Sequence, residues 1–215
     1  MQPLRLSIRP PTPLSFTEMI AGIVLAAGRS RRMGSPKAFL RLGERTFLER
    51  AVTALREGGC ARVVVVAGPA GDPLGREVAD AAAQLGADVA VNPDPASEQV
   101  DSLRAGLRAL EDEAEAAVVL PVDVPGVTAE LVGAVIGVFR ARAAPVVQPY
   151  DGTRHGHPVL FARAVWPELL HGDLPDGART VIHAHAAERA EVRVPRLHAD
   201  VDTPDDYRRL VEGAQ

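Results

Sequence analysis

One join in this sequence limits the available folds more than any other. The apolar run Ile20-Ala21-Gly22-Ile23-Val24-Leu25 passes directly into Ala26-Ala27-Gly28-Arg29-Ser30-Arg31-Arg32-Met33-Gly34-Ser35-Pro36-Lys37. Six residues without polar alternation read as a strand buried on both faces, the mark of a parallel sheet covered by helices. Parallel strands need crossover connections, so such a chain must alternate strand and helix. In the loop, small residues let backbone N–H groups approach a ligand, and Arg29, Arg31, Arg32 and Lys37 supply counter-charge for an anion. It is not a Walker A loop: five residues, not four, separate Gly28 from Gly34, and Lys37 comes later. No G-x-G-x-x-G is present, so the usual dinucleotide fingerprint fails.

Composition singles out one residue of that loop. The chain has 23 arginines and a single lysine, Lys37. An ammonium kept where every other cation is a guanidinium suggests a site that requires a compact point charge. Elsewhere composition excludes more than it proposes. With 215 residues the chain is one ordinary domain, and a net charge of −4 leaves no footprint for nucleic acid. Cys60 is the only cysteine, which rules out an internal disulfide, and it reads as a small apolar core residue. Apolar runs such as Leu131 to Phe139 fall short of the roughly 20 residues of a membrane span, and cytoplasm is the expected address.

Taken in order, residues 1–18 hold four prolines and few large apolar groups, and are expected to be a disordered, dispensable tail before a domain spanning 19–215. They contain no apolar core of a secretory signal. A truncation starting at Met19 is expected to keep nucleotide binding. Thr46 caps a helix over Phe47–Arg56 that Gly58-Gly59 ends, and Arg62–Ala67 is the second buried strand. The two prolines of Gly68–Pro73 remove donors a phosphate would need, so that segment is a turn. A helix over Leu74–Leu85, a strand over Asp88–Asn92 and a helix over Ser102–Leu110 follow. Ala116 to Val122 is an apolar strand ending in the lone acid Asp123, at the sheet edge where open α/β folds bind ligands. Thr128 is the better placed cap for the next helix, to Arg142, which frees Asp123 for a metal.

A strand over Pro145–Pro149 and a turn at Asp151-Gly152 lead to Gly156-His157-Pro158 and a further strand. His155 reads as a solvated loop residue, while His157 suits either a substrate contact or burial against backbone. His183 and His185 diverge on a short helix and make no metal pair. Near the end, Asp200-Val201-Asp202-Thr203-Pro204 precedes the last helix; Asp202 suits either a metal or a helix cap, and Asp200 falls off the right face if the run is extended.

The loop resembles the signature L-A-A-G-x-S-x-R-M-G-x-x-K of the MobA-like nucleotidyltransferases, within them most closely the molybdenum cofactor cytidylyltransferases. The resemblance runs from about Met19 to the C-terminus. It implies that Leu25, Ala26, Ala27, Gly28, Ser30, Arg32, Lys37 and Ser102 bind the nucleotide, and that Arg32, Lys37 and Asp123 are catalytic. It also implies that Asp123 and Asp202 coordinate Mg²⁺, and that Gly156 and His157 sit near the acceptor. Gln99, Val100 and Asp101 depart from the family's Gly-Met-Ser-Ser-Ser-Leu-like segment; a carboxylate at 101 is unfavourable near phosphates unless it faces solvent or a metal. In the family Leu-Ala-Ala-Gly accompanies CTP and Leu-Ala-Gly-Gly accompanies GTP. The Ala27 methyl takes space that a purine's second ring would use, a discrimination of about 1 kcal/mol.

The fold expected is therefore α/β, a doubly wound and mostly parallel sheet sandwiched by helices, Rossmann-like in the manner of the nucleotidyltransferases and GT-A enzymes. The activity expected is Mg²⁺-dependent transfer of CMP from CTP to the phosphate of molybdopterin with release of pyrophosphate, with a molybdoenzyme or its chaperone as a protein partner. Such a reaction needs positioning and charge stabilisation more than a strong general base. The alternatives are GTP as donor, a sugar- or alditol-phosphate acceptor, an NAD(P)H-dependent reductase on the same scaffold, and a non-catalytic nucleotide-binding module.

Overall fold

A computed structural model describes residues 19–28, 36–94, 96, 98–110 and 114–213. The expected tail over 1–18, and the roles expected of Ser30 and Arg32, lie outside the described residues.

Nine strands and seven α-helices are described, in the order β1 (Ile20–Leu25), β2 (Arg41–Leu42), β3 (Arg45–Thr46), α1 (Phe47–Glu57), β4 (Arg62–Ala67), α2 (Pro73–Gln84), β5 (Asp88–Val91), α3 (Gln99–Ala109), β6 (Ala116–Pro121), α4 (Ala129–Arg142), β7 (Val146–Tyr150), β8 (Val159–Ala162), α5 (Trp166–His171), α6 (Ala178–Ala184), β9 (Ala190–Arg193) and α7 (Pro204–Glu212). Seven strands form one sheet in the order β5-β4-β1-β6-β8-β7-β9, and β2 pairs with β3 in a small hairpin. β5, β4, β1 and β6 run parallel; β8 is antiparallel to both β6 and β7, and β9 is parallel to β7.

β1 and β6 are buried along their whole length, as their unbroken apolar runs require. Alternate strand residues feed two cores. Val24, Val65, Val118 and Leu160 pack with the apolar faces of α1, α2 and α4. Ile23, Val64, Val119 and Phe161 pack with those of α3, α5 and α6. Each fully buried Val, Leu or Phe contributes about 1.5–3 kcal/mol in transfer free energy, which makes this double-sided burial the main stabilising term. Gly106 on α3 lets that helix close on the sheet: a Cβ there would lie 2.7 Å from Ile23 Cγ2. The wrapping of the sheet on both faces is the expected doubly wound architecture.

Helix ends follow their capping residues. Thr46 accepts from the Glu49 N–H while Glu49 accepts from the Thr46 N–H, a reciprocal box that starts α1. Thr128 caps α4 and Thr203 caps α7. α3 begins at Gln99, three residues before the expected start at Ser102, because Asp101 reaches back to the Glu98 N–H and lengthens the helix by most of a turn. Among the described residues no helix is long and apolar enough to cross a membrane.

Candidate active site

The parallel strands all end at one edge of the sheet, and the segments leaving them are hydrogen-bonded to one another there. The Ala26 N–H donates to the Val66 carbonyl at 3.0 Å, the Val122 N–H to Leu25 at 3.1 Å and the Asn92 N–H to Ala67 at 2.9 Å. Farther along, the Val201 N–H donates to the Asp123 carbonyl at 2.9 Å. That last bond ties residues 78 positions apart and sets Asp202 beside Asp123. The reversal of β8 matters equally. A strand running against its neighbours begins where they end, so the segment leading into it, with His157, arrives at the same edge.

These segments enclose a cleft of about 810 Å³, within the usual range for a small-molecule site. Its lining includes Leu25, Ala26, Ala27 and Gly28 after β1, Lys37 and Asp123, and His157, Arg179, Asp200 and Asp202 from the later part of the chain. Lys37 opens a short 3₁₀ turn over Lys37–Phe39 and points its ammonium inward. Its Nζ donates to Asp123 Oδ2 at 2.9 Å and to Asp202 Oδ1 at 2.6 Å. The Lys37 side chain is 13% exposed, against 26% for Asp123 and 55% for Asp202. Burial alone would lower the Lys37 pKa, but hydrogen bonds and charge from the two aspartates outweigh it and hold the pKa above the usual lysine value. The lysine is therefore cationic at neutral pH.

Asp202 thus leaves helix capping to Thr203, which accepts from the Asp206 N–H, and turns its own carboxylate to Lys37. Asp200 corrects the expectation that set it off the right face: it lines the cleft beside the other two carboxylates. Partial burial and the charges of Asp123 and Asp202 push its pKa up, against the opposing pull of Lys37 and Arg154.

The donor set bears on a metal. Asp123 and Asp202 offer hard carboxylate oxygens that already converge on one positive charge. Among the described residues no group of three or more His, Cys, Asp or Glu side chains forms a metal cage. Such a pair suits a divalent cation that keeps waters and shares its remaining positions with phosphate oxygens, and does not suit a closed structural site.

Ser102 lines the cleft, but its hydroxyl accepts from Asn92 Nδ2 at 2.9 Å in a buried pair that fixes the loop after β5 to α3. Asp101, the unwelcome carboxylate, faces away: it pairs with Arg104 at 3.2 Å and borders a separate groove. Gly156 does not line the cleft. Its N–H is bonded to the Pro149 carbonyl, and a Cβ there would lie 2.9 Å from Leu197. His157 does line it, with Nδ1 buried and lacking a hydrogen-bond partner. Burial pushes the His157 pKa down, Asp123 raises it and Arg179 lowers it, with a net depression that keeps the ring neutral. His155 is not a solvated loop residue: it bridges to Tyr150, stacks on that ring at 4.6 Å and bonds Glu191 at 2.7 Å. His185 bonds Glu168 at 2.8 Å, and burial raises the Cys60 thiol to about 12, which makes it inert. Residue-type reasoning missed Asp94, Glu98, Gln99 and Arg179 as cleft residues. For Arg179 the one available signal was its place just after the Gly-Asp-Leu-Pro-Asp-Gly loop.

A doubly wound α/β sheet with an anion-ready loop, an ammonium and paired carboxylates at its carboxyl edge defines a nucleotide-handling enzyme fold. Comparison with known proteins agrees. Residues 22–190 match the MobA-like NTP transferase domain, and the chain belongs to that family of nucleotidyltransferases. It is 34% identical over 198 residues, 90% of this chain and 95% of the other, to a protein of Mycobacterium avium (strain 104) named probable molybdenum cofactor guanylyltransferase. It is 38% identical over 200 residues, 91% of this chain and 63% of the other, to a 2-C-methyl-D-erythritol 4-phosphate cytidylyltransferase of Frankia casuarinae. Its fold matches the crystal structure of Rv0371c from Mycobacterium tuberculosis H37Rv with TM-score 0.76 and 31% identity, covering 91% and 98% of the two chains. The same Mycobacterium protein has also been solved in complex with manganese.

Proposed function

We propose that this chain transfers CMP from CTP to the phosphate of molybdopterin and releases pyrophosphate. The observation that carries the reading is the convergence of Lys37 on Asp123 and Asp202 in one cleft, lined also by Leu25 to Gly28. An acceptor phosphate oxygen forms a bond to the α-phosphorus, the bond from that phosphorus to the β-bridging oxygen breaks, and pyrophosphate leaves with the electron pair. The acceptor is already anionic, so no strong base is required. Backbone N–H groups and small side chains at Leu25 to Gly28 seat the nucleotide. Lys37, with Arg32 from the adjoining loop, neutralises charge that builds on the leaving group. Asp123 and Asp202 would hold Mg²⁺, which supplies further charge neutralisation on the triphosphate when bound. His157, which also lines the cleft, would contact the acceptor.

The Mycobacterium relatives' names support molybdopterin as acceptor. They also favour a second reading for the donor, GTP. Ala27 supports CTP: it lines the cleft, and a methyl at the base would take space from a bicyclic ring. Pyrophosphate release measured with each of the four NTPs, with and without molybdopterin, tests both points. CTP-dependent release that requires molybdopterin and Mg²⁺ is the expected result. Release with GTP alone moves the donor assignment, and release only with a sugar- or alditol-phosphate moves the acceptor. NADPH oxidation insensitive to Asp123→Ala would replace the transferase reading with a reductase.

A further inference from the structure

Among the described residues the cleft is rich in carboxylates. Its described lining holds five carboxylates, Asp94, Glu98, Asp123, Asp200 and Asp202. Lys37 is a cation of that lining, and it is shared between two of them. A phosphomonoester dianion entering the cleft meets those carboxylates and the triphosphate together. Like charges at contact distance repel, so a counter-charge beside the acceptor favours its binding.

Arg179 is the other described Lys or Arg lining the cleft, near His157. It makes no hydrogen bond or ion pair with any described residue. Its position is built. The Gly177 N–H donates to the Leu174 carbonyl at 2.9 Å, the Thr180 N–H to Gly177 at 3.1 Å and the Asp176 N–H to the Thr180 hydroxyl at 3.2 Å. Gly177 adopts φ +59°, a conformation that glycine reaches without strain, and it turns the chain into α6. Close by, His157 lines the same cleft and lies within reach of the Arg179 charge. The guanidinium fork matches the oxygens of a phosphomonoester.

We infer that Arg179, with His157 beside it, is the seat of the acceptor's phosphate, distinct from the triphosphate seat around Lys37. The inference rests on the nucleotidyl-transfer reading and names the residue that recognises its second substrate as a phosphomonoester. It requires the triphosphate to be bound without Arg179 and the acceptor to be bound with it.

Isothermal titration of the full chain separates the two seats. The protein, with Mg²⁺ and the α,β-methylene analogue of CTP or of GTP, is titrated with molybdopterin, a hexose 1-phosphate and an alditol phosphate. Arg179→Gln is expected to weaken phosphomonoester binding by about 10- to 100-fold while nucleotide-analogue affinity stays within about twofold. Arg179→Lys, which keeps charge and loses the fork, should fall between the parent and Arg179→Gln. The assignment is overturned if Arg179→Gln leaves phosphomonoester affinity unchanged, if it weakens the nucleotide equally, or if the parent binds none of the three. Preference of the parent for a sugar or alditol phosphate sinks the molybdopterin reading and leaves the seat at Arg179 standing, which keeps the two failures apart.

Discussion

The two halves of the sheet are built by different rules. In the half β5-β4-β1-β6 all strands are parallel, and each of its segments reaches the carboxyl edge by a strand–loop–helix step. In the half β8-β7-β9 a reversed strand interrupts the order, and the cleft residues come from a strand lead-in, a short helix and a strandless loop. The first half supplies Leu25 to Gly28, Lys37 and Asp123; the second supplies His157, Arg179, Asp200 and Asp202. The regular half offers a strand-end loop suited to a nucleotide, the feature such folds share. The irregular half brings its cleft residues in on loops and a short helix and not on strand ends. Within the cleft the side-chain tie between the halves is the ammonium of Lys37, bonded to an aspartate from each.

Breaking that tie should produce the largest effect. Lys37→Ala leaves Asp123 and Asp202 without their shared counter-charge and the leaving group without neutralisation. Pyrophosphate release is expected to fall about 10²- to 10³-fold. Lys37→Arg should recover little of it, because a planar fork does not replace a point charge held between two carboxylates.

A change confined to the regular half tests whether stability resides there. Gly106→Val places a Cβ 2.7 Å from Ile23 Cγ2 and 3.1 Å from Val66 Cγ2, in a core that cannot yield freely. Urea unfolding should show a loss of about 1–3 kcal/mol. In the irregular half, Gly177→Ala forces a side chain into φ +59° at a cost of about 1–2 kcal/mol. Its sharper signature should be functional: acceptor affinity falls with the displacement of Arg179, and nucleotide affinity holds.

The smallest expected effect concerns pH. Asp151 accepts from the Arg154 N–H and from the Thr153 N–H and hydroxyl, in the turn that reverses the chain between β7 and β8. The Arg154 and Thr153 bonds lower its pKa from 3.8 to about 2. A carboxylate whose folded pKa is depressed stabilises above its unfolded value, and that contribution disappears as pH falls through the folded one. The stability difference between the parent and Asp151→Asn should therefore be constant near neutrality and shrink as pH drops from 3.8 toward 2. A difference that persists unchanged across that range would remove the turn's carboxylate from the account.

Legibility followed the same division. Ile20 to Leu25, Arg62 to Ala67 and Ala116 to Pro121 are strands because their unbroken apolar runs admit little else. Thr46 and Thr128 announce their helices through local side-chain chemistry. Asp202 was ambiguous because capping and ligand chemistry use the same residue type, and the choice went to Thr203 only through its bond with Asp206. Asp101 looked hostile to phosphates, and a rotation about the axis of α3 toward Arg104 removes the conflict. Asp200 lines the cleft with Asp202, as residues two apart on an extended segment share a face, so the expectation that set it off that face misapplied the alternation.

The amino-acid order alone determined the alternation of strand and helix, the anion-ready loop and the lysine kept within it. Each is a local property, set by burial period, capping or charge within a few residues. Only the folded chain decided that positions 37, 123 and 202 share one point in space, and that position 179 lines the same cleft. Those distances are set by how the strands are ordered and which one is reversed, and strand order is a long-range outcome of packing that no short stretch of sequence contains.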